Sequence, residues 1–236
     1  MEKRGAKPKG KVRIKWSPDF AYAIGLLASD GNVSSDGRHI TFTSKDLEQM
    51  LNFNKALGTN VHVGKKAGSV GSEKKYHVVQ FSDVLFYEFL VGIGIMPVKS
   101  KVLGEVKVPP ELFFHFLRGC FDGDGCSYSY WDKRWKSSFM LYAGFCSASL
   151  PHLSWIRDFL HGSLGISGHV SASKSGNCYQ LRYAKTEARK MIERMYEGEG
   201  IIYLSRKRLK IEASLCIMVG QEGVRASSLD KNAQVL

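Results

Sequence analysis

Two apolar segments of this chain start and stop alike. FAYAIGLLASDG fills residues 20–31 and FHFLRGCFDGDG fills residues 114–125. Aligning Asp30 with Asp124 also aligns Phe20 with Phe114, Gly25 with Gly119 and Gly31 with Gly125. Each is preceded by helix-start chemistry. Ser17-Pro18-Asp19 offers an N-cap, a proline at the first helical position and an acid in the first turn, and Pro109-Pro110-Glu111 offers proline and acid again. Each then runs apolar for about three turns and stops at Asp-Gly, where glycine suits a left-handed C′ position. A carboxylate at a helix C-terminus is unfavourable by ~0.3–1 kcal/mol, so acids placed there twice are either well solvated or have something positive to meet them.

The residues after each segment repeat as well. After Gly31, NVSSDGRHITFTS reads as two short strands around the turn Asp36-Gly37, and KDLEQMLNFNKALG as a helix ending at Gly58. NVHVGKK and KKYHVVQFS read as a second hairpin across a Gly/Ser loop, and DVLFYEFLVGIG as a helix. After Gly125 the same order returns: CSYSYWDK and KSSFMLYAGFCS, then SLPHLSWIRDFLHGSLG, then GHVSASK and NCYQLRYA, then KTEARKMIERMYEG. Each half is therefore αββαββα, which makes the chain an α+β protein of two pseudo-symmetric lobes.

The strands alternate. Ile40 and Phe42 share a face opposite His39, Thr41 and Thr43. Tyr179, Leu181 and Tyr183 oppose Gln180 and Arg182. Over Lys136–Tyr142, Phe139 and Leu141 oppose Lys136, Ser138, Met140 and Tyr142. One face suits a helical layer; the other is polar, basic and rich in hydroxyl and amide groups. Such a face is often merely solvated. Here the chain carries 34 Lys and Arg against 22 Asp and Glu, a net +12, which points to a polyanionic partner. A two-stranded ribbon fits the DNA major groove, so His39, Thr41, Thr43, Lys136, Ser138, Tyr142, Gln180 and Arg182 are candidate DNA contacts.

Other classes fall away. The five cysteines are odd in number and form no Cys-x-x-Cys pair, so they read as free thiols rather than a disulfide framework or zinc site. No apolar run approaches the ~18–20 residues of a membrane span. The N-terminus lacks the apolar core of a secretory signal, and residues 1–16 read as a flexible basic arm. GTNVHVGKK (58–66) lacks P-loop spacing, and residues 122–133 lack the EF-hand glycine and glutamate. Asp122-Gly123-Asp124 could suggest a glycosyltransferase DxD site, against which the duplication and the charge argue. The expectation is a soluble, intracellular protein of cytoplasm, nucleoid or organelle, with no membrane partner and no small-molecule cofactor.

AIGLLASDG (23–31) and LRGCFDGDG (117–125) resemble the two motif copies of a single-chain LAGLIDADG homing endonuclease. The run from Gly92 to Gly125 and GIIYLSRKRLKI (200–211) are similar to that family's usual link and late second half. The resemblance covers about residues 17–211, with Ala28, Ser29, Arg118 and Cys120 departing from the motif while both final acids are kept. It implies lobes at 17–103 and 109–211, a linker at 104–108, and a C-terminal extension or tail over 212–236. It also implies saddle-shaped antiparallel sheets for DNA and a seam made by the two motif helices.

The physical logic agrees. Gly25, Gly119 and Gly123 would let two helices approach closely and bring Asp30 and Asp124 together. Two carboxylates at two negative helix ends repel, and a hard divalent cation with oxygen ligands resolves that. The resemblance implies Mg²⁺ held by Asp30 and Asp124 with the backbone carbonyls of Ser29 and Gly123, Mn²⁺ substituting, and Ca²⁺ supporting binding without fast cutting. It implies lysines near the attacking water, Lys99 and Lys207, with Lys101 and Arg206 as neighbouring candidates. Asp122 is expected to be secondary, a cap or a solvent-facing acid. The implied activity is double-strand cleavage by a monomer at a long, imperfectly palindromic DNA site, leaving short 3′ overhangs and promoting intron mobility. The alternative is a non-cleaving relative, an intron RNA maturase or transcription regulator, which would not need both acids.

Overall fold

The computed structural model of the chain describes residues 10–66 and 76–233, with side chains up to residue 220. The first half runs α1 (Pro18–Ser29), β1 (Gly31–Val33), β2 (His39–Ser44), α2 (Leu47–Leu57), β3 (Val63–Lys66), β4 (Tyr76–Ser82) and α3 (Val84–Gly92). The second runs α4 (Phe113–Asp124), β5 (Gly125–Trp131), β6 (Phe139–Ser147), α5 (Leu150–Leu164), β7 (His169–Ala172), β8 (Tyr179–Ala184) and α6 (Lys185–Met195), and then adds α7 (Ser205–Ala233). The expected αββαββα order holds in both halves. The two sheets share one topology, β1-β2-β4-β3 and β5-β6-β8-β7, antiparallel throughout.

α1 starts as its sequence dictates. The Ser17 hydroxyl accepts from the Phe20 N–H at 3.1 Å, Pro18 stands at the first turn, and Asp19 meets the positive helix end. From Phe20 to Ala28 every residue is buried, so this helix has no solvent face. Its partner is α4. A β-carbon on Gly25 would fall 2.0 Å from the Phe116 carbonyl oxygen, and one on Gly119 would fall 2.1 Å from that of Tyr22. The two backbones touch, and side chains at those positions would force the helices apart. Around this contact Tyr22 and Leu26 of α1 and Phe116 and Cys120 of α4 are buried at the seam.

Three expectations need correction. Gly31 and Gly125 are not left-handed caps; the chain passes directly from helix into strand, and Gly125 is extended. Glycine is needed there because a β-carbon would strike the preceding turn, 2.6 Å from Leu27 and 2.5 Å from Phe121. Left-handed caps occur instead at Gly58 and Gly165, with φ of 63° and 64°. Pro110–Leu112 forms a separate 3₁₀ turn before α4. The basic arm is described from residue 10, and from there it is docked rather than flexible. The Lys11 and Val12 N–H groups donate to Asp83 at 2.6 and 2.9 Å, Val12 is buried, and Trp16 packs edge-on against Phe20 and Phe89. The C-terminal extension continues α7 without a break, with Ser214 and Met218 buried. The Gly/Ser loop of the second hairpin lies largely outside the described residues.

The sheets put their apolar faces under the helices. Ile40, Phe42, Val79 and Phe81 point inward in one sheet, and Leu141, Ala143, Phe145, Leu181 and Tyr183 in the other. All five cysteines are free. Among the described residues no helix is long and apolar enough to cross a membrane.

Candidate active site

Asp30 and Asp124 end the two seam helices, on the side where β1 and β5 begin. A β-carbon on Gly123 would sit 2.0 Å from Ser29 Oγ and 3.1 Å from Asp30 Oδ2, so the two helix ends are in contact across the seam. Both carboxylates remain open to solvent on the sheet side. Crowding by the surrounding chain and then the neighbouring Asp124 charge push the Asp30 carboxyl up to about 6. Desolvation raises Asp124 as well. Two ammonium groups oppose these shifts, Lys207 and Lys99. Both lysines are themselves depressed, by burial first, with the acids pulling the other way.

The lysines arrive by equivalent routes. Lys99 lies in a short 3₁₀ turn after α3, and Lys207 in the first turn of α7. Lys99 Nζ donates to the carbonyl of Ser29 at 3.0 Å. Lys207 Nζ donates to the carbonyl of Gly123 at 2.9 Å. Each ammonium therefore meets the residue just before an aspartate. The two carbonyls expected as metal ligands face lysines here. Lys101 is exposed. Arg206 faces elsewhere, donating through Nε and Nη2 to both oxygens of Asp46 at 2.8–3.1 Å.

Each half holds the other's lysine segment. From α2, the Glu48 carboxylate accepts from the backbone N–H and hydroxyl of Ser205, and Asn52 donates to the carbonyl of Tyr203 at 2.8 Å. From α5, Ser149 and His152 reach the carbonyls of Leu103 and Gly104 at 2.5 and 2.8 Å. Burial depresses the His152 imidazole to about 4, so it stays neutral and donates through Nδ1.

Asp122 is neither an end cap nor solvent-facing, contrary to the sequence reading. It is 1% exposed. Its Oδ2 accepts from the Tyr22 hydroxyl and the Leu204 N–H, both at 2.8 Å, while its buried Oδ1 has no partner among the described residues. Desolvation pushes this carboxyl up to about 6. Beside it Arg118, wholly buried, donates to the carbonyls of Ile202 and Met195 at 2.8 and 2.6 Å. This motif departure closes the end of α6 and the approach to α7.

The polar sheet faces carry most of the expected contact residues. His39, Thr41 and Thr43 share a face with Asn32 and Gln80, by strand register. His39 is tied to Asp36 in the hairpin turn. Gln180, Arg182 and Tyr142 share a face with Tyr128 and Tyr130, and the three tyrosine rings stack, Tyr128 on Tyr142 at 4.9 Å. Period-two alternation alone would have found Asn32, Gln80, Tyr128 and Tyr130. Lys136 and Ser138 are not on a strand, because Asp132 turns the chain by accepting from the Arg134 N–H at 2.8 Å and β6 begins only at Phe139.

No family model and no curated protein matches the sequence. Solved structures match the fold. The I-LtrWI LAGLIDADG homing endonuclease bound to target DNA aligns with 92% of this chain and 96% of its own, at TM-score 0.58 and 11% identity. This chain has the LAGLIDADG homing-endonuclease fold. The I-SmaMI LAGLIDADG homing endonuclease bound to cleaved DNA aligns with 92% of this chain and 94% of its own, at TM-score 0.57 and 13% identity. I-SmaMI bound to uncleaved DNA target in the presence of calcium ions covers 92% and 96%, at TM-score 0.57 and 13% identity. In the LAGLIDADG frame, α1 and α4 are the motif helices and the sheet faces flank their ends.

Proposed function

We propose that the protein is a monomeric, divalent-metal-dependent DNA endonuclease that cuts both strands of a long, imperfectly palindromic site, encoded within an intron. The observation that carries this reading is the meeting of Asp30 and Asp124 at the ends of two touching helices, with Lys99 and Lys207 beside them. Binding alone requires none of this, since two like charges held together at two helix ends are a cost to the fold.

The donor set fits a hard cation. Two close carboxylates at negative helix ends offer oxygen ligands to Mg²⁺ or Mn²⁺ and, for binding without fast cutting, to Ca²⁺. When bound, such ions activate water and stabilise the leaving oxygen of a phosphodiester. The chain's own groups do the rest. Seam packing holds the carboxylates in place before DNA arrives, so little reorganisation is needed. The two sheet faces, related by the repeat, would each lie along half of the duplex, with Gln180, Arg182, Thr41 and Gln80 at base edges and lysines at phosphates. The Lys99 ammonium lowers the cost of negative charge growing at the phosphate.

The test is substitution at the acids. Asp30→Asn and Asp124→Asn should each keep specific duplex binding and lose double-strand cleavage in Mg²⁺. Full cutting by either variant would remove this site assignment, and duplex binding without cutting by the wild-type chain in Mg²⁺ or Mn²⁺ would favour the non-cleaving alternative.

A further inference from the structure

The repeat predicts equal half-sites, yet the two lysines are bonded differently. Lys207 Nζ donates to three carbonyls: Phe121 at 2.6 Å, Gly123 at 2.9 Å and Gly125 at 2.7 Å. An ammonium has three hydrogens, so all of them are used. Phe121 and Gly123 lie in the last turn of α4 and Gly125 opens β5, so the ammonium sits at the negative end of α4, where a cation is favoured by the helix dipole. Lys99 Nζ, by contrast, donates to one carbonyl among the described residues, that of Ser29. Lys99 is buried, 7% exposed, and its other two hydrogens have no acceptor among the described residues, which leaves them for a phosphate oxygen or a water at the acid pair.

The backbone before Lys99 is also unusual. Val98 is left-handed, with φ of 55°, and is 85% exposed. A β-branched residue in that region is strained, and such strain persists only where the surroundings enforce it. Nothing comparable precedes Lys207, which lies in a regular helix.

We infer that the two halves of the centre are unequal: Lys99 serves the reacting phosphate, whereas Lys207 is a positioning residue that caps α4 and fixes Asp124. This rests on the nuclease reading. In the chemical step the water oxygen bonds to phosphorus as the bond to the leaving oxygen breaks. The water's proton passes to solvent and the leaving oxygen takes one from solvent. The half that lacks a free ammonium completes this step more slowly, so the strands are cut in a fixed order.

The experiment has two arms. In the first, the full chain without DNA or metal is melted in EDTA. Lys207→Met should melt about 5 °C or more below wild type, because three charge-assisted bonds are lost. Lys99→Met should fall by less, and Lys207→Arg should recover part of the loss. In the second, a cleavable site isolated from a pool of duplexes with randomised cores is cloned into a supercoiled plasmid, and each strand is followed separately at saturating enzyme. Wild type should accumulate nicked circles with the same strand cut first, about tenfold faster than the other. Lys99→Met should slow that first strand by about 10²-fold, in the range found for removing one preorganised donor. Wild-type strand rates within twofold of each other, or a Lys207→Met variant that melts no lower than Lys99→Met, overturn the inequality. Failure of the wild-type chain to cut any duplex in Mg²⁺ or Mn²⁺ overturns instead the nuclease reading beneath it.

Discussion

Ser149, at the start of a second-half helix, donates its hydroxyl to the carbonyl of Leu103, four residues past Lys99, at 2.5 Å. Its first-half counterpart is more elaborate: Asp46 accepts three contacts from Arg206. Burial makes the simpler link the stronger one. Ser149 is 0% exposed, so Ser149→Ala strands a buried carbonyl and should cost about 1–3 kcal/mol. The Arg206 side chain is 60% exposed, and Asp46→Ala should cost about 0–1 kcal/mol. Chemical denaturation of both variants checks the order.

The seam has no room for a methyl group. Gly119→Ala places carbon 2.1 Å from the Tyr22 carbonyl oxygen, and backbone cannot step aside as a side chain would. We expect a loss of more than about 3 kcal/mol, beyond the usual range for overpacking. Gly162 in α5 is the control. Nothing lies within 4 Å of its would-be β-carbon, so Gly162→Ala should stabilise by about 0.5–1 kcal/mol through helix propensity. Equal melting temperatures for the two variants would contradict the close helix contact.

Asp122 makes stability depend on pH with a definite sign. Its carboxyl is pushed up from 3.8 to about 6 in the folded chain. A group raised on folding contributes stability that is full below its unfolded value and is lost as pH rises through the folded one. Ionisation of Asp122 therefore weakens the fold between about pH 4 and pH 6. An asparagine in its place does not titrate, and the amide oxygen can still accept from Tyr22 and Leu204. Relative to wild type, Asp122→Asn should gain about 2–3 kcal/mol between pH 4 and pH 8, in EDTA. A difference that is flat with pH would show that this carboxyl is not protonated near 6.

Duplex binding should depend steeply on salt. With about six phosphate contacts from a chain of net charge +12, affinity should drop by ~10³-fold or more between 50 and 200 mM salt. Substituting Gln180 or Arg182 should relax base preference at single positions, while substituting Lys66 should weaken all duplexes alike and reduce the salt slope by about one. A flat titration would mean that these sheet faces are not the binding surface.

The element order, both close-contact glycines and the paired acids were legible because each is local and written twice. The Asp122 environment was not. Its partners Tyr22 and Leu204 lie 100 and 82 residues away, and its repeat equivalent is Ala28, so neither spacing nor symmetry points to burial. Asp-Gly suggested a left-handed turn at Gly31 and Gly125, whereas the crowding came from the preceding helical turn, an effect of tertiary packing on a local cue. Alternation alone assigns Lys136 and Ser138 to a strand. The Asp132 turn competes with that pattern and wins, since a side-chain carboxylate bonding nearby N–H groups ends a strand cheaply.

The exchange between α2 and α7, and between α5 and the Lys99 segment, bears on how such proteins can be recombined. A chimaera that joins residues 17–103 to a foreign second half would present native Asp46, Glu48 and Asn52 to foreign partners, and a foreign α5 to native Leu103 and Gly104. The interchangeable module is therefore discontinuous. A half travels intact only if the stretch around Leu103, or the start of α7, is grafted together with the helix that holds it.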